Sequence, residues 1–401
     1  MQKLQKNLFI ILTIIFVLLT TKNVLADKNL NKNLDKNLDS EKSEKSDENY
    51  SFRPILSGSV LYQIQYDHII NSNKKDLKRS NAFVYIEPNF GLHFDENWSI
   101  KTQWRIQDNS SLTTRDKNNP ERYRTFFTDN RGLNLSETGL LIEELKLFYE
   151  NEDMKFTLGK FDPSFGTAHR KSKRIGVFAS QFAEDYNLRE KIGGSITALL
   201  EGSQISFSSF FADSTDLSQS AINDRGRESR NNGLSSNTGS LSSYSILMEG
   251  ENFLTVDNWF YNVGYRSMGV DLNGRKRETG YVVGSEYLYK IGRETSLIPF
   301  VEIVRLENFS GESGRVGNYA TIAAIGKYSS WTASASLMVR NIKRANNSPI
   351  LSKSDNDKQL QFSIGYKFTD NLTIDISRAE ISEQKYRGGI FGANINYLYK
   401  F

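Results

Sequence analysis

The chain of 401 residues has no cysteine. This excludes a disulfide framework, a thiol nucleophile and a cysteine-based metal site. Histidine is nearly absent as well, with only His68, His93 and His169, and none stands in a metal-ligand spacing such as H-E-x-x-H. Gly311, Gly314 and Gly317 lack the G-x-G-x-x-G order of a nucleotide loop. No enzyme chemistry and no cofactor are therefore expected. An excess of one charge is missing too: 51 basic against 47 acidic residues give +4, which offers no general surface for nucleic acid. Long apolar runs are confined to Leu8 to Thr20, a stretch too short for the roughly 20 residues of a membrane-spanning helix. Lys3 and Lys6 precede it and Val24-Leu25-Ala26 follows. That is the order of a secretory signal, so residues 1–26 are expected to be removed on export.

Residues 27–51 repeat a KNL element and hold no aromatic before Tyr50. Such a polar, low-complexity segment reads as a disordered tether. From residue 52 onward the chain alternates apolar and polar residues in segments of about ten. In 98–108, Trp98, Ile100, Thr102, Trp104 and Ile106 share one face, and Lys101, Gln103 and Arg105 share the other. The pattern predicts strands at 55–66, 80–94, 98–108, 138–150, 154–161, 188–200, 203–213, 242–250, 258–270, 277–290, 296–308, 315–328, 331–342, 358–368, 372–380 and 388–401. Fourteen or eighteen strands stay open as alternatives, because the fifth, eighth and fifteenth segments are short.

The connections sort by length. Those after even-numbered strands are short, as at 95–97, 151–153, 201–202, 329–330 and 369–371; those after odd-numbered strands are mostly long and polar, as at 67–79, 109–137, 214–241 and 342–357. Trp98, Trp259 and Trp331 open strands at the short-turn rim, and Tyr149, Tyr289, Tyr328, Phe368 and Phe401 close strands there. Amphipathic rings prefer the headgroup level of a bilayer. The fold class expected is all-β: a transmembrane antiparallel β-barrel of sixteen strands at 52–401, with both termini at the short-turn rim. The final strand carries Phe401, Tyr399, Tyr397, Ile395, Ala393 and Phe391 on one face, against Asn394, Asn396 and Lys400 on the other.

That ending resembles the terminal signature of bacterial outer-membrane barrels. The resemblance implies that Tyr397, Tyr399 and Phe401 are read by the barrel-assembly machinery. The segment Gly159-Lys160-Phe161-Asp162-Pro163-Ser164-Phe165-Gly166 is similar to the strand end that leads into the inward-folded third loop of Gram-negative general diffusion porins. This resemblance implies a homotrimer in the outer membrane that passes small hydrophilic solutes passively. It also departs from the family. Where many cation-preferring porins carry an acidic run, this chain has His169-Arg170-Lys171-Ser172-Lys173-Arg174.

A cationic cluster in a narrow aqueous pore attracts anions. The expected constriction is Asp162, His169, Arg170, Lys171, Lys173 and Arg174. Lys101, Arg105, Lys155, Arg266 and Arg340 are expected to form a basic wall with this cluster, and Asp162, Glu144, Glu184 and Asp185 to supply a transverse opposing charge, Glu144 also lining the pore. The outcome is a weak anion preference. Alternatively the basic loop binds lipopolysaccharide phosphates at the membrane surface. The rival of another class is a plugged, non-conducting surface barrel whose loops at 109–137 and 214–241 act in adhesion.

Overall fold

The computed structural model describes residues 54–73, 80–108, 138–172, 176–178, 182–222, 239–270, 276–343, 355–383 and 386–401. The leader expected at 1–26 and the tether expected at 27–51 lie outside the described residues. Sixteen antiparallel strands close into one barrel. They are β1 Ile55–Ser72, β2 Ser80–His93, β3 Trp98–Asp108, β4 Thr138–Glu150, β5 Met154–Phe161, β6 Lys191–Leu200, β7 Ser203–Ala212, β8 Ser243–Gly250 and β9 Trp259–Met268. β10 runs Glu278–Tyr287 with a continuation at Tyr289–Lys290 on the same neighbouring strand. The rest are β11 Thr295–Glu307, β12 Val316–Tyr328, β13 Trp331–Lys343, β14 Asp355–Thr369, β15 Leu372–Glu383 and β16 Tyr386–Lys400. Each strand pairs with its chain neighbours, and β16 closes on β1 from Ser59↔Lys400 to Ser72↔Gly388.

Side-chain direction follows the period of two. On β14, Leu360, Phe362 and Ile364 point outward and are exposed, while Gln359 and Gln361 point inward and are buried. An apolar outside around a polar inside is the arrangement that lipid demands of a barrel wall. The short-turn rim is built on local hydrogen bonds. Asp95 Oδ1 accepts from the amides of Asn97 and Trp98, and Asn151 Oδ1 accepts from those of Asp153 and Met154. These are side-chain-closed turns that need no extra length. An aromatic row runs above them, with Trp98 4.9 Å from Tyr149, Trp331 4.7 Å from Tyr366, and Tyr399 stacked on Phe401.

Several bounds differ from the sequence expectation, among them the start of β6 at Lys191 instead of 188 and the end of β15 at Glu383 instead of 380. β1 continues beyond residue 66 to Ser72, because ladder pairing to β16 carries it past its apolar stretch and through a bulge between Ile69 and Asn71. The connection between β15 and β16 spans only 384–385, so one member of the long-loop rim is short.

Candidate functional site

The lumen is organised by the segment 162–190 between β5 and β6. β5 leaves the wall after Phe161 while β4 continues above it, and Pro163 and Gly166, at φ +73°, turn the chain inward. A short helix α1 (Ala168–Ser172) and a turn of 3-10 helix (Ala183–Asp185) follow.

Glu302, inward on β11 and 1% exposed, fixes the first part of this loop. Its carboxylate accepts hydrogen bonds from Thr167 N at 2.6 Å, Thr167 Oγ1 at 3.0 Å, Ala168 N at 3.1 Å and Tyr186 Oη at 2.9 Å, and from the wall residue Asn262. Phe178 reaches across to β14–β16. Its amide donates to Gln361 Oε1 at 2.7 Å, its carbonyl accepts from Gln359 Nε2 at 2.6 Å, and Val177 N donates to Ser377 Oγ. Its ring packs among Ile69, Ala379, Ile381 and Ile390 and lies over Gly392, where any Cβ would overlap it.

The returning part is held by ions. Arg340 on β13 bonds Asp185 at 2.9 Å as well as the wall carboxylates of Asp357 and Glu383, all of them buried. Arg266 on β9 donates to Tyr186 O at 2.6 Å and pairs with Glu278. Between these anchors, Phe165, Phe182, Tyr186 and Leu188 pack with Leu247, Val282, Phe300 and Tyr319 into an apolar core inside the barrel. This explains why β11 and β12 are mostly apolar on their inner face as well as their outer one.

The other side of the lumen is wet. Asp162 is 36% exposed there, Arg189 27% and Glu184 21%. There the charges form a ladder: Arg105 pairs with Glu143 at 2.6 Å and more loosely with Glu87, and Arg189 joins Glu143 at 3.3 Å to Glu184 at 3.1 Å and Asp162 at 3.9 Å. A bulge in the β3–β4 ladder at Gln103/Trp104 lets the consecutive residues Glu143 and Glu144 both serve the lumen. Glu144 pairs with Lys146 and accepts from Asp162 N. Enclosure by the barrel pushes the Asp162 carboxyl up to about 7; Arg189 pulls against the rise and Glu144 adds to it.

No family model matches the chain, and no curated protein matches it in sequence. Solved structures do match. OmpF of Salmonella typhi in complex with daunomycin superposes with a TM-score of 0.56 at 11% identity, over 86% of this chain and 100% of that one. The fold is that of the outer-membrane porins. An anion-selective porin from Comamonas acidovorans matches at 0.52 and 10% identity, covering 86% and 99%. The outer membrane channel DcaP of Acinetobacter baumannii matches at 0.52 and 12% identity, covering 86% and 97%. At these identities the likeness concerns the fold alone.

Within this porin fold, the residues singled out from sequence fall into three environments. Asp162, Arg105, Glu144 and Glu184 belong to the ladder on the wet side, and Lys101 is beside them with its ammonium 4.1 Å from the Phe148 ring. Lys155 pairs with Glu150 near the short-turn rim. Arg170 and Lys171 point to the wall and are neutralised there, by Glu249 at 3.0 Å and Glu286 at 2.9 Å. His169 is half-buried on the same helix. Arg266 and Arg340 face inward from the wall yet lie beneath the loop, away from the wet side, and Asp185 is the loop carboxylate that bonds Arg340. Lys173 and Arg174 lie outside the described residues. Tyr397, Tyr399 and Phe401 face outward on the closing strand.

Four functional positions escaped sequence reasoning: Glu302, Glu143, Arg189 and the Phe178–Gly392 contact. Only Glu302 left a signal, as a lone carboxylate inside the apolar run FVEIV.

Proposed function

We propose that the chain is an outer-membrane channel through which small hydrophilic solutes and ions diffuse passively, with no chemical step. The observation that carries this reading is the division of the lumen. One side is filled by a loop pinned through Glu302, Phe178 and Arg340, while the other keeps Asp162, Glu184 and Arg189 partly exposed within the barrel. A plug would bury both sides. The matched porins and channels support the same reading, and a homotrimer in the outer membrane, exported by its leader and inserted by the barrel-assembly machinery through Phe401, fits with it.

Weak anion preference belongs to this proposal on narrower support. Arg170 and Lys171 each face a carboxylate, so the field that favours anions rests on Lys173, Arg174 and the exposed part of the Arg170 guanidinium. Planar-bilayer recording of the folded protein tests both points. Stepwise conductance with a small reversal potential of anionic sign is expected. Heat-modifiable, folded barrels that give no steps would overturn the channel and favour the adhesive barrel; clear cation selectivity would overturn the anion preference alone.

A further inference from the structure

The outer face of β14, β15 and β16 breaks its own pattern near the long-loop rim. On β14 the outward series Phe368, Tyr366, Ile364, Phe362 and Leu360 gives way to a charge only at Lys358. On β16 it runs from Phe401 to Phe391 before Gly389 and Arg387. Between them β15 offers Leu372, Ile374 and Ile376 and then turns to Arg378 and Glu380. The register sets Arg378 opposite Phe362 on one side and Phe391 on the other.

An ion pair therefore stands on the lipid-facing surface between two phenyl rings. Arg378 Nη2 is 2.5 Å from Glu380 Oε1, with the two side chains 49% and 54% exposed. Charge on the lipid face of a barrel strand is destabilising to a degree that grows with depth, so a partner that uses it is to be expected.

The surroundings define that partner. Lys358, Ser382 and Arg387 follow one another in register directly above, and Lys358 and Arg387 are exposed. Three cations thus surround one carboxylate. Gly389 gives the ion pair its room: a Cβ there would lie 2.8 Å from Glu380 Oε1 and 3.2 Å from Arg378 Nη2, in the space that the pair fills. On the far side of Phe391, His68 is its ladder partner and bonds Ser80 Oγ at 2.7 Å, extending the polar surface onto β1 and β2.

We propose that this patch holds the phosphate of an anionic lipid in the leaflet at the long-loop rim. Lys358, Arg378 and Arg387 contact the phosphate, Ser382 donates a hydroxyl, and the acyl chains lie on Phe362, Phe391 and Leu360. A second copy of the chain fits less well. Among strand carboxylates whose side chains are described, only Glu307 and Glu380 face outward, and each is already bonded by an arginine of its own strand. The wall thus offers no acidic counterpart.

The inference does not depend on conduction. Native mass spectrometry of the full chain released from nanodiscs tests it, with phosphatidylcholine as the neutral lipid and a bisphosphorylated glycolipid or phosphatidylglycerol as the anionic one. Wild-type protein is expected to retain anionic lipid in preference to phosphatidylcholine. Each cation removed, in Lys358→Ala, Arg387→Ala and Arg378→Gln, should weaken retention roughly fivefold, and Glu380→Gln should strengthen it. Excess inorganic phosphate should not displace the lipid, because the chains contribute. Lys358→Ala with Arg387→Ala changes only rim residues, and its gel mobility before and after heating verifies folding. Equal retention by wild type and this folded double variant would overturn the proposal. So would release by inorganic phosphate alone, or a change of oligomeric mass in the double variant without loss of lipid.

Discussion

Replacing Glu302 by alanine should release the first part of the lumenal loop without disturbing the barrel wall. The carboxylate takes four hydrogen bonds from the loop, through Thr167 N, Thr167 Oγ1, Ala168 N and Tyr186 Oη. A hydrogen bond to a charged acceptor contributes about 1.5–3 kcal/mol, but these four share one acceptor and are not additive. Alanine leaves these buried loop donors without an acceptor at about 1–3 kcal/mol each, and with partial relaxation the total comes to about 3–5 kcal/mol. The loop keeps its other anchors at Arg340, Arg266 and Phe178, so the cost falls on local opening around Thr167 and Ala168. A loss of that size raises the open population by between about two and four powers of ten. Hydrogen exchange read out on peptides covering 165–169 should accelerate accordingly, while peptides from β13 to β16 keep their protection. Glu302→Gln, which retains one acceptor, should fall between. Unchanged exchange at Thr167 and Ala168 in a folded Glu302→Ala barrel would refute the anchoring role. Open-channel current noise should rise in the same order: wild type, Glu302→Gln, Glu302→Ala.

Gly392→Ala places a methyl group in the space of the Phe178 ring and should expel it from its socket; exchange at 176–178 should rise, and combining it with Phe178→Ala should relieve the strain. Asp162, with its carboxyl near 7, carries its negative charge above that pH and loses it below. Lowering pH from about 8 to about 6 should therefore move the reversal potential toward anions, and Asp162→Asn should flatten the response; an identical pH shift in the variant would exclude Asp162 as its source. Deleting Phe401 should lower the amount of barrel inserted in membranes while leaving the conductance of each assembled channel unchanged, measured by membrane fractionation and single-channel recording. Normal insertion would count against the assembly role.

Much of the barrel is legible in the sequence because its determinants are local. The outer face of a strand must satisfy lipid by itself, residue by residue, so Leu360, Phe362 and Ile364 alternate with Gln359 and Gln361 in plain sight. The lumen is less legible. Arg170 and Lys171 read as a free basic cluster until the fold brings up Glu249 and Glu286, distant by 79 residues in the first case. Arg340 and Arg266 read as pore lining until the loop covers them. The mostly apolar inner faces of β11 and β12 carry no mark of what packs there, since an apolar inward residue looks alike whether it meets a loop or fills a void.

By itself, then, the sequence determined the strand positions, the alternation of turns and loops, the aromatic rim and the departure of the chain from the wall after Phe161. Period-two patterning and turn chemistry act over a few residues and need no partner. The tertiary structure alone decided which charges are paired, which side of the lumen stays wet, and where the loop is fastened. Those depend on groups as far apart as Thr167 and Glu302, or Phe178 and Gly392, whose energies exist only once the barrel has closed around them.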